Sequence, residues 1–161
     1  MATVAVGERA PGLALRGLDG QTHRLHEATG PVLVVFFKVS CETCWLTFPY
    51  FERLFQAYPQ GGWHLWGISQ DSASDSQAFV EEHGVTFPIL LDEGWAISRA
   101  YDPEGVPTSF LIGPDTRVTR VVPAFQKAAL NELSATVADY IGAELAVIIS
   151  DDDPGPPFRP G

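Results

Sequence analysis

Hydrophobic and polar positions along the chain fall into short blocks with different periods, and the blocks alternate. Pro31-Val32-Leu33-Val34-Val35-Phe36-Phe37 is apolar at every position, the pattern of a strand buried on both faces. From Trp45 to Phe55 the rhythm changes: Leu46, Pro49, Tyr50, Arg53 and Leu54 recur three or four apart, which predicts a helix running to about Tyr58 and stopped by Pro59-Gln60-Gly61-Gly62. Pro49 is expected to kink it. Trp63–Ser69 reads as the next strand, parallel to the first across a long crossover, with Trp63 and Trp66 packing on one face. Ser74-Asp75-Ser76-Gln77 matches a capping box for a helix that ends at His83-Gly84. Phe87–Asp92 is a short extended segment, and Trp95–Tyr101 a short helix. Two strands around the turn Gly113–Arg117 form an antiparallel hairpin at the end of the sheet. Leu130, Leu133, Val137, Tyr140 and Ile141 mark a last helix closed near Gly142. Ahead of all this, Asp19-Gly20 between Leu13-Ala14-Leu15 and Thr22–Leu25 reads as an N-terminal β-hairpin.

These blocks predict an α/β domain over residues 1–146, with 147–161 as a mobile tail because Asp151–Gly161 is polar and rich in Pro and Gly. Composition agrees: 161 residues, 45% apolar, suit one domain with a substantial core. The net charge of −10, with only two lysines, Lys38 and Lys127, argues against nucleic acid or an anionic membrane as partner. No run approaches membrane-spanning length, and the start lacks a basic segment followed by an apolar one. If Met1 is the natural start, the expected location is cytoplasmic, where a two-cysteine disulfide is more often catalytic than structural.

The only two cysteines form Cys41-Glu42-Thr43-Cys44, at the junction of the buried strand and the following helix. There the unpaired N–H groups and the helix dipole favour a thiolate on Cys41, and Cys44, one turn on, can close a small disulfide ring with it. Cys41 is then the exposed nucleophile and Cys44 the resolving thiol. A closed zinc site would need four ligands, and His23, His26, His64 and His83 lack paired spacing, so no metal and no cofactor is expected. A purely structural disulfide is the bland alternative, but a loop this short is a poor staple. Lys38 and the helix end would lower the Cys41 pKa, while Glu42 would raise it. Lys38 reads more simply as a solvated strand-end residue, and His64 and His83 as surface or capping residues.

The order of elements, with Cys41–Cys44, Pro49, Gly67-Ile68-Ser69-Gln70-Asp71, His83–Pro88 and Gly105-Val106-Pro107-Thr108, resembles the TlpA-like thiol–disulfide oxidoreductases of the thioredoxin fold, relatives of the AhpC/TSA redoxins, from residue 7 to about 142. The resemblance implies a central mixed sheet flanked by helices, with the N-terminal hairpin and a central inserted helix and strand. It implies a cis Val106–Pro107 bond facing the cysteines, and Trp45, Val106 and Pro107 lining a substrate groove. The partners it implies are a disulfide-bearing protein or small thiol substrate and an upstream electron donor. The sequence departs from the family pattern at Ser40, where Trp is usual, and at Val35 and Thr47, where a carboxylate would serve Cys44; water or Glu42 is left to take that proton. A peroxiredoxin-like peroxidase passing through a Cys41 sulfenic acid is the competing enzyme reading. Lys38 and Val106-Pro107-Thr108 stand where that family places a hydroxyl residue and an arginine. A non-catalytic binding module on the same fold is the third.

Overall fold

The computed structural model describes residues 2–161. Its centre is the apolar strand β3 (Val32–Phe37), every residue of which is buried. Such a strand needs neighbours on both edges and cover on both faces. β4 (His64–Ser69) pairs with it in parallel on one edge, followed outward by β5 (Ile89–Leu91), also parallel. On the other edge β6 (Thr108–Ile112) pairs antiparallel, followed by β7 (Val118–Pro123). The five-stranded mixed sheet has the order β5-β4-β3-β6-β7. The helices are α1 (Glu42–Ala57), α2 (Ala73–His83), α3 (Ala96–Tyr101) and α4 (Lys127–Ile141). An N-terminal hairpin, β1 (Ala14–Arg16) with β2 (Thr22–Arg24), turns through Gly20 at φ 80°. It joins the sheet rim where Leu18 N–H donates to Ile89 O at 2.9 Å.

Alternation along β3 divides the core. Leu33, Val35 and Phe37 face the side covered by α1 and α4 with Phe79 of α2, while Val32, Val34 and Phe36 face Tyr101 and the N-terminal segment. Trp63 and Trp66 therefore part company, against the single-face expectation, because residues three apart on a strand point to opposite faces. Trp63 packs on Phe55 and Tyr58, and Trp66 on His23 and His64. α2 also starts two residues earlier than the Ser74 box predicts. Ser72 is the cap, its Oγ accepting from Asp75 N at 3.1 Å, and Ser76 faces inward with its hydroxyl 2.7 Å from that of Ser69. Pro49 lies within α1, which remains one helix.

The expected mobile tail is laid against the domain. Ile148 and Ile149 are buried in the α1–α4 core, and Asn131 Oδ1 accepts from both of their N–H groups, at 2.8 and 3.0 Å. Farther on, β9 (Phe158–Arg159) pairs antiparallel with β8 (Phe125–Gln126). A charged knot secures the return. The Asp153 carboxylate accepts from Tyr50 OH at 2.7 Å and lies 3.3 Å from Lys127 Nζ and 3.5 Å from Arg53. The Tyr50 hydroxyl, foremost, and Lys127 hold the Asp153 carboxyl down to about 2.

Candidate active site

β3 ends at Phe37, and the chain turns through Lys38–Ser40 to deliver Cys41 to the N-cap of α1. Cys41 has extended φ/ψ (−87°, 111°), and its sulfur accepts from Cys44 N at 3.1 Å, filling the place a serine or aspartate oxygen takes at other helix starts. Cys44, one turn along, is fully buried, whereas Cys41 is partly open to solvent, and both are free thiols.

Two environments one turn apart separate the two acidities. The Cys44 thiol donates to the Cys41 sulfur and, against the cost of burial and with the N–H groups of Cys44 and Thr43 and the Arg159 guanidinium, lowers the Cys41 pKa to about 6. Burial, the donation to Cys41 and the charges of Cys41 and Asp71 push Cys44 far above the ordinary thiol range. Only Cys41 is a thiolate near neutrality. Alkylation of the reduced protein by iodoacetamide should accordingly level off from about pH 7 and fall about tenfold per unit below about pH 6, with the label on Cys41. A rate still climbing above about pH 8 would mean an ordinary thiol.

Val106 stands against this sulfur, with Pro107 next in the chain. The peptide bond between them is cis, as the resemblance implied, and the Val106 carbonyl oxygen lies 3.4 Å from Cys41 Sγ. Trp45 is set differently, held toward α2 with its indole N–H donating to Val39 O at 2.8 Å and its ring stacked on His83. It is 42% exposed, which leaves part of its apolar ring open to solvent. Lys38 does not serve Cys41: its ammonium lies 5.1 Å from the Trp95 ring centre. The cation that does is Arg159, which no local pattern near the cysteines announces. Arg159 also pairs with Glu42 at 3.1 Å, taking up the carboxylate expected to act on Cys41 or Cys44. Val35 is buried and apolar, and Thr47 donates to Thr43 O at 2.6 Å. The carboxylate whose charge Cys44 feels is Asp71, which accepts from Val39 N at 2.8 Å.

Residues 6–121 match the AhpC/TSA family. The chain belongs to that family. Within it, similarity is to thiol–disulfide oxidoreductases: ResA of Geobacillus thermodenitrificans is 31% identical over 121 residues, covering 74% of this chain and 70% of the relative, and ResA of Bacillus subtilis is 30% identical over 122 residues, covering 74% and 68%. Among solved structures, the thioredoxin domain of a thiol-disulfide oxidoreductase from Bacteroides vulgatus superposes with a TM-score of 0.74 at 23% identity, covering 84% of this chain and 99% of that one. Peroxidoxin BcpB of Mycobacterium tuberculosis superposes at 0.72 with 20% identity, covering 86% and 98%, a likeness of fold. This AhpC/TSA member is a TlpA-like, thioredoxin-fold thiol–disulfide oxidoreductase.

Proposed function

We propose that Cys41 is the attacking sulfur and Cys44 the resolving one, in a two-electron exchange with disulfides presented at the rim formed by Trp45, Val106 and Pro107. The supporting observation is the inequality of the pair: a part-exposed sulfur at a helix N-cap, one turn from a thiol that solvent does not reach. The Cys41 thiolate attacks a substrate disulfide; its S–S bond breaks, one substrate sulfur departs as a thiolate that takes up a proton, and a mixed disulfide remains on Cys41. Cys44 then loses its proton and attacks the Cys41 sulfur. A Cys41–Cys44 disulfide forms, the second substrate sulfur leaves as a thiol, and the substrate has gained two electrons and two protons. An upstream dithiol returns the protein to its reduced form by the same steps reversed.

Trapping tests the assignment. Reduced Cys44→Ser protein mixed with hydroxyethyl disulfide should accumulate one adduct per chain, mapped to Cys41 by mass spectrometry, because serine cannot resolve it. An adduct found instead on Cys44 in Cys41→Ser protein would reverse the two roles.

A further inference from the structure

Residues 153–161 contact the site from its open side. β9 pairs Arg159 with Phe125 and Phe158 with Gln126, and Lys127 N–H donates to Pro157 O at 3.0 Å. The tip reaches the two residues between the cysteines: Thr43 Oγ1 donates to Pro160 O at 2.6 Å, and Arg159 pairs with Glu42. Gly161 backs onto Val106 so closely that a Cβ there would collide with the Val106 carbonyl, the same group that lies against Cys41 Sγ. The segment thus lies along Cys41 on the Glu42–Thr43 side and on the Val106 side, yet leaves the sulfur partly exposed.

We propose that residues 153–161 are a specificity strap, which admits small disulfides to Cys41 and must swing aside before a polypeptide disulfide can align with it. The proposal rests on Cys41 being the attacking sulfur. Attack runs along the S–S axis, so a disulfide set in a polypeptide brings chain on either side of the reacting sulfurs. That chain needs the space beside Val106 and Thr43 that residues 159–161 hold. A small disulfide does not. The strap is also built unevenly. Its root is the Asp153 knot, with the carboxylate 7% exposed, and Lys127 Nζ donates again to Gly155 O at 2.8 Å. Its tip is held by less: the two-residue pairing with β8, in which Phe158 is 56% exposed, the single Thr43–Pro160 hydrogen bond, the backing of Gly161 on Val106, and an Arg159–Glu42 pair of the solvent-bathed kind that contributes little. A firm root and a weak tip make a segment that swings rather than unfolds.

The test compares rate constants of the reduced protein with insulin, as the polypeptide disulfide, and with hydroxyethyl disulfide. Three forms are used: the full chain, a chain lacking residues 154–161, and full-length Asp153→Asn. Measured at about pH 8, where Cys41 is ionised with or without Arg159, thiolate fraction drops out of the comparison. Removing the strap should raise the insulin rate at least about tenfold and change the small-disulfide rate less than about threefold, the signature of a closed state holding most of the population. An unchanged ratio of the two rates overturns the strap. Should the shortened chain lose its cooperative thermal transition, the ratio in Asp153→Asn decides in its place. If the full chain reacts with neither disulfide, the Cys41 assignment fails, and the strap with it.

Discussion

Cys41→Ser should slow disulfide exchange at least about a thousandfold, because a serine hydroxyl is neither ionised near neutrality nor able to form the mixed disulfide. The loss can be separated from unfolding on structural grounds. Cys41 occupies the N-cap of α1 and accepts from Cys44 N, a task serine performs well, so thermal stability should stay within about 0.5 kcal/mol of the parent. Stopped-flow mixing with hydroxyethyl disulfide, alongside thermal melts, checks both halves. Substantial exchange surviving in Cys41→Ser would mean that Cys44 reaches substrate unaided, which its complete burial argues against. The Cys44 variants sharpen the point. A serine at 44 can still donate to the Cys41 sulfur, whereas an alanine cannot, so Cys44→Ala should carry a higher Cys41 pKa than Cys44→Ser.

Phe48→Ala should cost about 3–5 kcal/mol of stability, the range for emptying a buried aromatic site. Phe48 is fully buried on α1, four residues after Cys44, and four rings converge on it: Phe37 of β3 at 4.5 Å between centroids, Phe79 of α2 at 5.1 Å, Phe87 at 5.7 Å and Phe51 at 6.2 Å. It pins the cysteine helix to the sheet and to α2 at once, and no single neighbour can move in without leaving another contact. Urea unfolding followed by circular dichroism should show a lower midpoint with an unchanged slope. A loss below about 1 kcal/mol would mean that the surrounding rings repack around the gap.

What the sequence discloses and what it withholds divide by distance along the chain. The apolar run Val32–Phe37, the glycine that ends α2 with φ 65° and the one that ends α4 with φ 68° are local signals, and each appears where the pattern puts it. The cysteine pair is local too, and so is its place at a strand-to-helix junction. Ser72 and Ser74 carry the same capping chemistry, so propensity alone does not choose between them; in the structure Ser72 caps the helix and Ser76 is buried against Ser69. The tail has the composition of a free segment, and beyond the buried Ile148 and Ile149 it is attached by a two-residue strand pair and by polar contacts to residues such as Tyr50, Lys127, Glu42 and Thr43, as far as 117 residues away. No period in a sequence records such pairs. Arg159, the cation that acts on Cys41, is hidden from the sequence for the same reason, and Lys38, nearer in sequence, lies against Trp95 instead.

The sheet that splits the core also separates two kinds of freedom. Phe36 and Phe37 are chain neighbours, yet one meets Tyr101 and Phe110 while the other meets Phe48 and Phe79. Val106 packs against both halves of the core, so substitutions deep in the Tyr101 cluster, away from Val106, and beneath α1 should combine additively. For anyone reshaping this molecule, the Tyr101 side is a chassis: it can be repacked or fused to another domain while the thiol chemistry on the opposite face is left as it stands.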